Sequence, residues 1–173
     1  AAAEVGMIIT EGVEVSHHFR RFYPAGEVAS HIVGFTDIDD VGQEGLEQTF
    51  DRWLTGENGR RHVLKNRRAN VVRYVSAGKE VNQGKDLRLS IDLMLQYLTY
   101  RALKEAVFQA GAAGGSAVLV DAWSGQILAL AGQPAFNPND MSSRIPDRIR
   151  NRPTTDLMEP GSSIKPFTVA TAI

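Results

Sequence analysis

The chain has 173 residues, enough for one ordinary domain or two small ones with a real hydrophobic core. Its net charge is −1, and 43% of its residues are hydrophobic, so the composition gives no electrostatic case for a nucleic-acid partner. It has no cysteine, which excludes disulfides and thiolate metal sites. Its apolar runs are too short to cross a bilayer, and no signal-peptide pattern opens it, so any export or anchor segment is expected outside this sequence.

The first half of the chain predicts short strands, turns and one helix. Residues 7–15 indicate a weak hairpin, and the adjacent His17 and His18 point to opposite faces of an extended chain, which favours solvated residues over a metal site. Residues 42–55 show apolar positions at helical spacing and predict a helix. Glu47 lies near the start of that helix, where an acid suits the helix dipole.

Two charged stretches have alternative interpretations. Aspartates at positions 37, 39 and 40 could suggest a calcium loop, but the glycine and glutamate of an EF-hand are not at the required positions, which favours a solvated loop. Residues 60–65 and 71–75 predict a hairpin with a basic loop. A solvated edge that discourages strand addition is favoured there over contact with an acidic partner or a membrane surface.

The second half predicts a strand, a long helix and a hairpin. Residues 87–91 alternate as a strand, and Asp92 caps a helix over residues 93–109. Residues 116–121 and 126–132 are apolar strands joined by a short turn, which predicts an antiparallel hairpin. The buried stripe of the helix is expected to comprise Met94, Leu95, Leu98, Ala102 and Ala106.

A serine motif, EPGSSIKP at residues 159–166, carries the chemistry. Pro166 lacks an N–H, so its helix begins no earlier than about Ser162, and Ser162 and Lys165 then share one face of the first turn. A neutral Lys165 could take the Ser162 proton, and the N–H of Ser162 could stabilise an oxyanion. Because the helix dipole supplies only about 0.3–1 kcal/mol towards a neutral lysine, burial in a dry cleft must supply most of the pKa shift.

The same Ser-x-x-Lys spacing occurs at Ser76 and Lys79. That copy follows a strand and has no helix to hold both side chains on one face, so it is interpreted as a chance match. For the later copy, the alternative to catalysis is a plain helix N-cap. Three prolines between residues 134 and 152 predict only short elements before the serine motif.

Several ordered motifs resemble those of class B penicillin-binding proteins, most closely the division-specific type (penicillin-binding protein 3), over essentially the whole chain. They are RFYPAGE (21–27), HIVGFT (31–36), GQEGLE (42–47), LRLSID (87–92), SAVLVD (116–121), FNPN (136–139) and EPGSSIKP (159–166). The resemblance implies an α+β fold in which residues 1–84 form part of a non-catalytic, dimerisation-type pedestal domain of strands and one helix. Residues 85–173 would begin the transpeptidase domain with a helix, an antiparallel hairpin and the active-site helix.

The resemblance also implies a reaction. Ser162 would be the acylated nucleophile, Lys165 its base and the Ser162 N–H an oxyanion donor in the cross-linking of peptidoglycan stem peptides during septal cell-wall synthesis. β-Lactams would acylate the same serine. A membrane glycosyltransferase and other division proteins would dock on the pedestal, at the periplasmic face of the inner membrane. No cofactor, metal or nucleic acid is implied.

The S-x-N and K-T-G motifs of the family do not occur in this sequence. We therefore expect a fragment that does not turn over substrate, and a serine turn that is more exposed than catalysis requires. Two other functions stay open. One is a non-catalytic binding module that docks division partners through the pedestal, and the other is a serine β-lactamase or sensor domain, which the pedestal-like half of the chain disfavours.

Overall fold

The computed structural model describes residues 20–57, 59–60, 62–68, 71–76 and 78–172, so the predictions for residues 7–15, His17 and His18 lie outside it. The helices are α1 (Ser30–Val33), α2 (Gly45–Thr49), α3 (Asp51–Thr55), α4 (Leu93–Ala110), α5 (Pro146–Ile149), α6 (Arg152–Thr155) and α7 (Lys165–Thr171). The strands are β1 (Phe35–Thr36), β2 (Gly42–Glu44), β3 (His62–Lys65), β4 (Val71–Ser76), β5 (Gly115–Val120) and β6 (Ile127–Gln133).

The described strands form three antiparallel pairs, β1–β2, β3–β4 and β5–β6. Small antiparallel sheets together with helices confirm the predicted α+β fold class. None of the described helices is both long enough and apolar enough to span a membrane.

The centre of the fold is α4 packed against the β5–β6 hairpin. Asp92 caps α4 as predicted, because its carboxylate accepts the N–H of Leu95 at 2.9 Å. In the hairpin, Ala117 lies opposite Ala131, and Ala129 and Ala131 are almost completely buried. The predicted long helix and the predicted antiparallel hairpin are both confirmed.

The inward face of α4 differs from the predicted stripe. Met94 and Leu98 are 67% and 48% exposed, whereas Gln96 and Tyr100 are the buried residues of the helix. Both of these side chains are hydrogen-bonded, which avoids the cost of about 1–3 kcal/mol for burying an unpaired polar group. The predicted stripe was therefore wrong except for Leu95, which is half-buried.

Gln96 joins three segments of the chain. Its amide nitrogen donates to the carbonyl oxygens of Val28 at 2.7 Å and Leu130 at 2.8 Å, and its amide oxygen accepts the Leu130 N–H at 2.8 Å. Val28 belongs to a 3₁₀ turn that precedes α1, and Leu130 belongs to β6. A single side chain thus bonds to the backbone of β6 and ties the first described segment to it.

The helix predicted over residues 42–55 is replaced by a strand and two short helices. β2 pairs with β1, and the chain then forms α2 and α3, which are separated at Phe50. The carboxylate of Asp51 accepts a hydrogen bond from the N–H of Gly42 at 2.9 Å. This bond holds the start of α3 close to β2. The helical spacing correctly predicted helical structure from Gly45 to Thr55. The prediction of one continuous helix from residue 42 was wrong.

β3 and β4 form the predicted hairpin, and a bridge between Glu57 and Asn82 extends it. The strand predicted at residues 87–91 is absent. The hydroxyl of Ser90 donates to the carbonyl of Ile127 at 2.7 Å, and the N–H of Asp92 donates to the carbonyl of Leu128 at 2.9 Å, so this segment lies beside β6 without forming a strand. Alternation of apolar residues was therefore not sufficient for a strand here, because a strand needs a ladder of backbone hydrogen bonds.

Replacing Gln96 with Leu tests the three-way junction. The change leaves the Val28 carbonyl and both backbone groups of Leu130 without the amide, and each buried group left unpaired costs about 1–3 kcal/mol. We expect a clear loss of unfolding free energy in urea denaturation. Gln109→Leu on the same helix is the matched control, since Gln109 is exposed and bonds only to Glu105. Equal losses of unfolding free energy in Gln96→Leu and Gln109→Leu would contradict the role of Gln96 in joining the three segments.

A second junction links the same 3₁₀ turn to α4 through charge. The Tyr100 hydroxyl donates to a Glu27 carboxylate oxygen at 2.5 Å, and the Lys104 ammonium donates to that oxygen at 3.1 Å. The Tyr100 hydrogen bond, followed by Lys104, holds the pKa of Glu27 below its ordinary value of 4.5, although desolvation opposes the shift. A depressed carboxyl pKa stabilises the fold above pH 4.5, and the stabilisation is lost as the pH falls through the pKa of the folded state.

Tyr100→Phe should therefore destabilise the chain in a pH-dependent way. We expect a loss of about 0.5–1.5 kcal/mol at neutral pH, where Glu27 is ionised, and a smaller loss below the pKa of Glu27 in the folded state. Urea denaturation at several pH values measures the difference. Tyr97→Phe, at an exposed tyrosine of the same helix, is the control. A deficit that stays constant from neutral to acid pH would argue against the Tyr100–Glu27 bond as its source.

Candidate active site

The serine motif forms a 3₁₀ turn, Gly161–Ile164, that runs directly into α7. Gly161 enters the turn at φ 53°, a left-handed conformation that residues with a side chain rarely adopt. Lys165 opens α7, and its N–H donates to the carbonyl of Ser162. Because residues three apart are aligned in a 3₁₀ turn, Ser162 and Lys165 lie on one face of a continuous helical segment, as the spacing predicts.

Both side chains of the motif are exposed, as is every described residue from 157 to 172. Among the described residues, the structure records neither a hydrogen bond from the Ser162 side chain to that of Lys165 nor an acceptor for the Ser162 N–H. The expectation of an exposed serine turn is confirmed. The described surroundings of Lys165 thus lack the dry environment that a neutral lysine requires.

The second Ser-x-x-Lys copy has a different geometry. Ser76 ends β4 and opens no helix. The Lys79 ammonium lies 2.6 Å from the Glu57 carboxylate, in a pair whose side chains are both 57% exposed. Because no helix begins at Ser76 and Lys79 pairs with Glu57, this arrangement agrees with the interpretation of a chance match.

Asp156 is the last partly buried residue before the serine turn. Nε of Arg150 lies 2.6 Å from Asp156 Oδ1, and Nη1 of Arg152 lies 3.1 Å from Asp156 Oδ2. Desolvation raises the pKa of Asp156, but hydrogen bonds from Thr155 and Arg152 and the charge of Arg150 outweigh it and hold the pKa below its ordinary value. The sequence analysis did not single out these residues, because two ion pairs, four and six positions apart, among such short elements have no periodic signal.

The loop that leads to Asp156 is anchored on the first described segment. The Tyr23 N–H donates to Asn139 Oδ1, and Asn139 Nδ2 donates to the Tyr23 carbonyl, both at 2.9 Å. The Arg144 guanidinium donates to the Thr36 carbonyl at 3.2 Å, and Phe136 is buried. The elements between residues 134 and 152 are short, as the prolines predict. Asn139 belongs to the FNPN motif, but only the structure identifies its partner.

Glu47 is a buried acid rather than only a helix-start residue. It is 6% exposed and lies 3.1 Å from the Arg21 guanidinium. Burial raises the pKa of Glu47, and the charge of Arg21 opposes that shift. In the sequence, the signal for this ion pair was that Arg21 lies in the motif RFYPAGE and Glu47 in the motif GQEGLE.

The acidic loop is organised by one of its own side chains. Asp37 Oδ1 accepts the N–H groups of Asp39 and Val41, both at 2.9 Å. Within the described ranges, no group of three or more His, Asp or Glu side chains lies close enough to hold a metal ion. The Gln43 side-chain amide donates to Asp37 Oδ2 at 2.9 Å, so the Asp37 carboxylate organises the loop through both of its oxygens.

Two protein-family models match the chain. Residues 3–89 match the penicillin-binding protein dimerisation domain, and residues 115–173 match the penicillin-binding protein transpeptidase domain. The dimerisation-domain model covers half of the chain, and the serine turn lies within the transpeptidase match. The chain belongs to the penicillin-binding proteins, which confirms the resemblance seen in its motifs.

Curated relatives of the chain are named peptidoglycan D,D-transpeptidases. The chain is 46% identical over 162 residues to "Peptidoglycan D,D-transpeptidase FtsI" of Escherichia coli K12, covering 94% of this chain and 27% of that protein. It is 45% identical over 172 residues to "Probable peptidoglycan D,D-transpeptidase PbpC" of Pseudomonas aeruginosa, covering 99% of this chain and 30% of that protein. The chain thus spans less than a third of the length of these relatives.

Solved structures show the same fold. The apo form of penicillin-binding protein 3 from Mycobacterium tuberculosis matches with a TM-score of 0.60 and 30% identity, covering 73% of this chain and 25% of that chain. The same protein complexed with aztreonam matches equally well. Both structures agree with the predicted combination of small antiparallel sheets and helices.

Proposed function

We propose that the whole protein is a serine-type peptidoglycan D,D-transpeptidase of septal cell-wall synthesis, with Ser162 as nucleophile and Lys165 as base. The observation that carries the proposal is the Ser162–Lys165 turn, located inside a transpeptidase-domain match and in a chain 46% identical to a relative named peptidoglycan D,D-transpeptidase FtsI. The names of the relatives supply the substrate class, and the turn supplies residues suited to acyl transfer.

The proposed reaction has two steps. Ser162 Oγ attacks the penultimate D-alanine carbonyl of a stem peptide while its proton passes to neutral Lys165. The C–N bond then breaks, the terminal D-alanine leaves with a proton, and an acyl-serine ester forms. The amine of a neighbouring stem peptide attacks this ester, forms the cross-linking amide and returns the proton to Ser162. The N–H of Ser162 is directed to the oxyanion in each tetrahedral intermediate, as one of its donors.

The parts of the protein have separate proposed roles. Residues 1–84 belong to the non-catalytic pedestal, and residues 85–173 begin the transpeptidase domain. The family matches over 3–89 and 115–173 support a division in this region. The pedestal docks the membrane glycosyltransferase and other division proteins at the periplasmic face of the inner membrane. The described part of the chain does not enclose Lys165, so we expect no turnover by residues 1–173 alone.

Mass spectrometry of the full-length protein treated with penicillin tests the assignment of Ser162. We expect one penicilloyl adduct, located on the peptide that contains Ser162, because β-lactams acylate the nucleophile. Ser162→Ala should abolish the adduct. Ser163→Ala is the matched control, since this neighbouring hydroxyl is equally exposed and should leave the adduct intact. An adduct on Ser76 or another residue, with Ser162 unmodified, would contradict the proposal.

A further inference from the structure

We propose that His31 is an acid-sensitive joint between the two family-matched parts of the chain, stable while its imidazole is neutral and weakened when mildly acid pH protonates it. His31 belongs to α1, within the dimerisation-domain match. Its ring packs against β6 and bonds to Arg148, both within the transpeptidase-domain match. The inference does not depend on the proposed chemistry of Ser162 and Lys165.

One hydrogen bond decides which ring nitrogen of the neutral imidazole carries the proton. Nε2 of His31 lies 2.8 Å from the carbonyl oxygen of Arg148, and a carbonyl oxygen can only accept. Nε2 therefore donates, and a second proton must go to Nδ1. A Cβ placed on Gly132 would lie 3.3 Å from Nδ1, so this edge of the ring lies directly against the backbone of β6. Protonation thus puts the new charge inside the joint.

The surroundings of the ring disfavour that charge. His31 is 7% exposed, and its ring packs edge-on against Phe136 with the ring centroids 5.6 Å apart. Desolvation lowers the pKa of His31 below its ordinary value of 6.5, the bond to Arg148 opposes the shift, and the charge of Arg152 adds to it. Further chain in the whole protein can only cover the ring more, so the argument from burial holds there as well.

The acids on the neighbouring elements each have a cationic partner of their own. They are Glu27 on the turn before α1, Glu47 on α2, and Asp147 and Asp156 beside α6, with the partners Lys104, Arg21 and, for both aspartates, Arg152. β6 contains no ionisable residue. Arg148 faces His31 with its carbonyl, while its charge acts on Glu27. In the described part of the chain none of these carboxylates forms an ion pair with His31, so a protonated ring gains no counter-charge.

The direction of the pH effect follows from linkage. A histidine whose pKa is lowered in the closed joint binds a proton more readily once the joint opens. The joint is therefore most stable above pH 6.5 and loses stability as the pH falls from 6.5 towards the pKa of the closed state. About one pH unit below 6.5 an open histidine is protonated about ten to one, so opening is favoured by up to about tenfold.

Amide hydrogen exchange of the full-length protein, followed by mass spectrometry at about pH 7.5 and about pH 5.5 and corrected for intrinsic exchange rates, tests the joint. We expect the opening constant of peptides over residues 28–34 and 128–133 to rise several-fold at the lower pH, up to about tenfold. Glu27 stays ionised throughout, because its pKa lies below 4.5. An opening constant that does not rise would overturn the inference.

His31→Gln assigns the effect to this residue. Glutamine keeps a side-chain donor for the Arg148 carbonyl but does not titrate, so we expect the rise in the opening constant to disappear. Glu47, whose pKa burial raises, contributes equally in both proteins and with the opposite sign. An undiminished rise in His31→Gln contradicts the proposal.

His62→Gln is the matched control, since His62 is an exposed histidine of β3. We expect this variant to keep the full rise of the unchanged protein. Loss of the rise in His62→Gln would show that the pH effect is not specific to His31 and would refute the joint.

A second measurement needs no variant and covers the case in which His31→Gln does not fold. Exchange of the imidazole C2 hydrogen, followed by mass spectrometry across the pH range in the peptide that contains His31, gives the pKa of this histidine in the unchanged full-length protein. We expect a pKa below 6.5. A pKa at or above 6.5 overturns the inference, because protonation would then not weaken the closed joint.

Discussion

A single buried amide, that of Gln96, is the interaction on which the arrangement of the chain depends. An amide has both donors and an acceptor, so Gln96 satisfies two carbonyl groups and one N–H that belong to different segments. Those segments, the turn before α1 and the strand β6, are about a hundred residues apart in the sequence. The face of α4 that carries Gln96 and Tyr100 is the one that is buried. The loop that approaches the serine turn continues from β6 and is anchored on Tyr23 and Thr36, on either side of the turn before α1.

Sequence reasoning was strongest where the signal was local. The cap at Asp92, the long helix behind it, both hairpins and the serine turn each depend on residues within a few positions of one another, and the structure confirms them. It failed where the outcome depended on distant partners. Apolar spacing on α4 cannot reveal that Gln96 finds three partners inside, so Met94 and Leu98 were placed on the wrong side. Residues 87–91 have the alternation of a strand, but they lie beside β6 without forming a backbone ladder with it.

The candidate site shows the same difference between features set by nearby residues and features set by distant partners. The spacing of Ser162 and Lys165 and the proline behind them were sufficient to predict one helical face, and the absence of the S-x-N and K-T-G motifs predicted an exposed turn. The residues that connect this turn to the fold were not predictable, because they act through pairs such as Asn139 with Tyr23, and Arg152 with Asp156. In the described chain Ser162 and Lys165 are arranged by local backbone geometry, and polar contacts hold the loop that precedes them. Lys165 is exposed in this part of the chain.

The β3–β4 hairpin gives the molecule a strongly uneven charge distribution. Residues 58–79 contain seven Lys and Arg residues and no Asp or Glu. Since the whole chain has a net charge of −1, the remaining residues sum to −8. The positive charge of this chain is thus concentrated around the hairpin. In salt of about 0.15 M the field of an exposed charge is screened within about 8 Å, so this charge acts only on groups close to the hairpin surface.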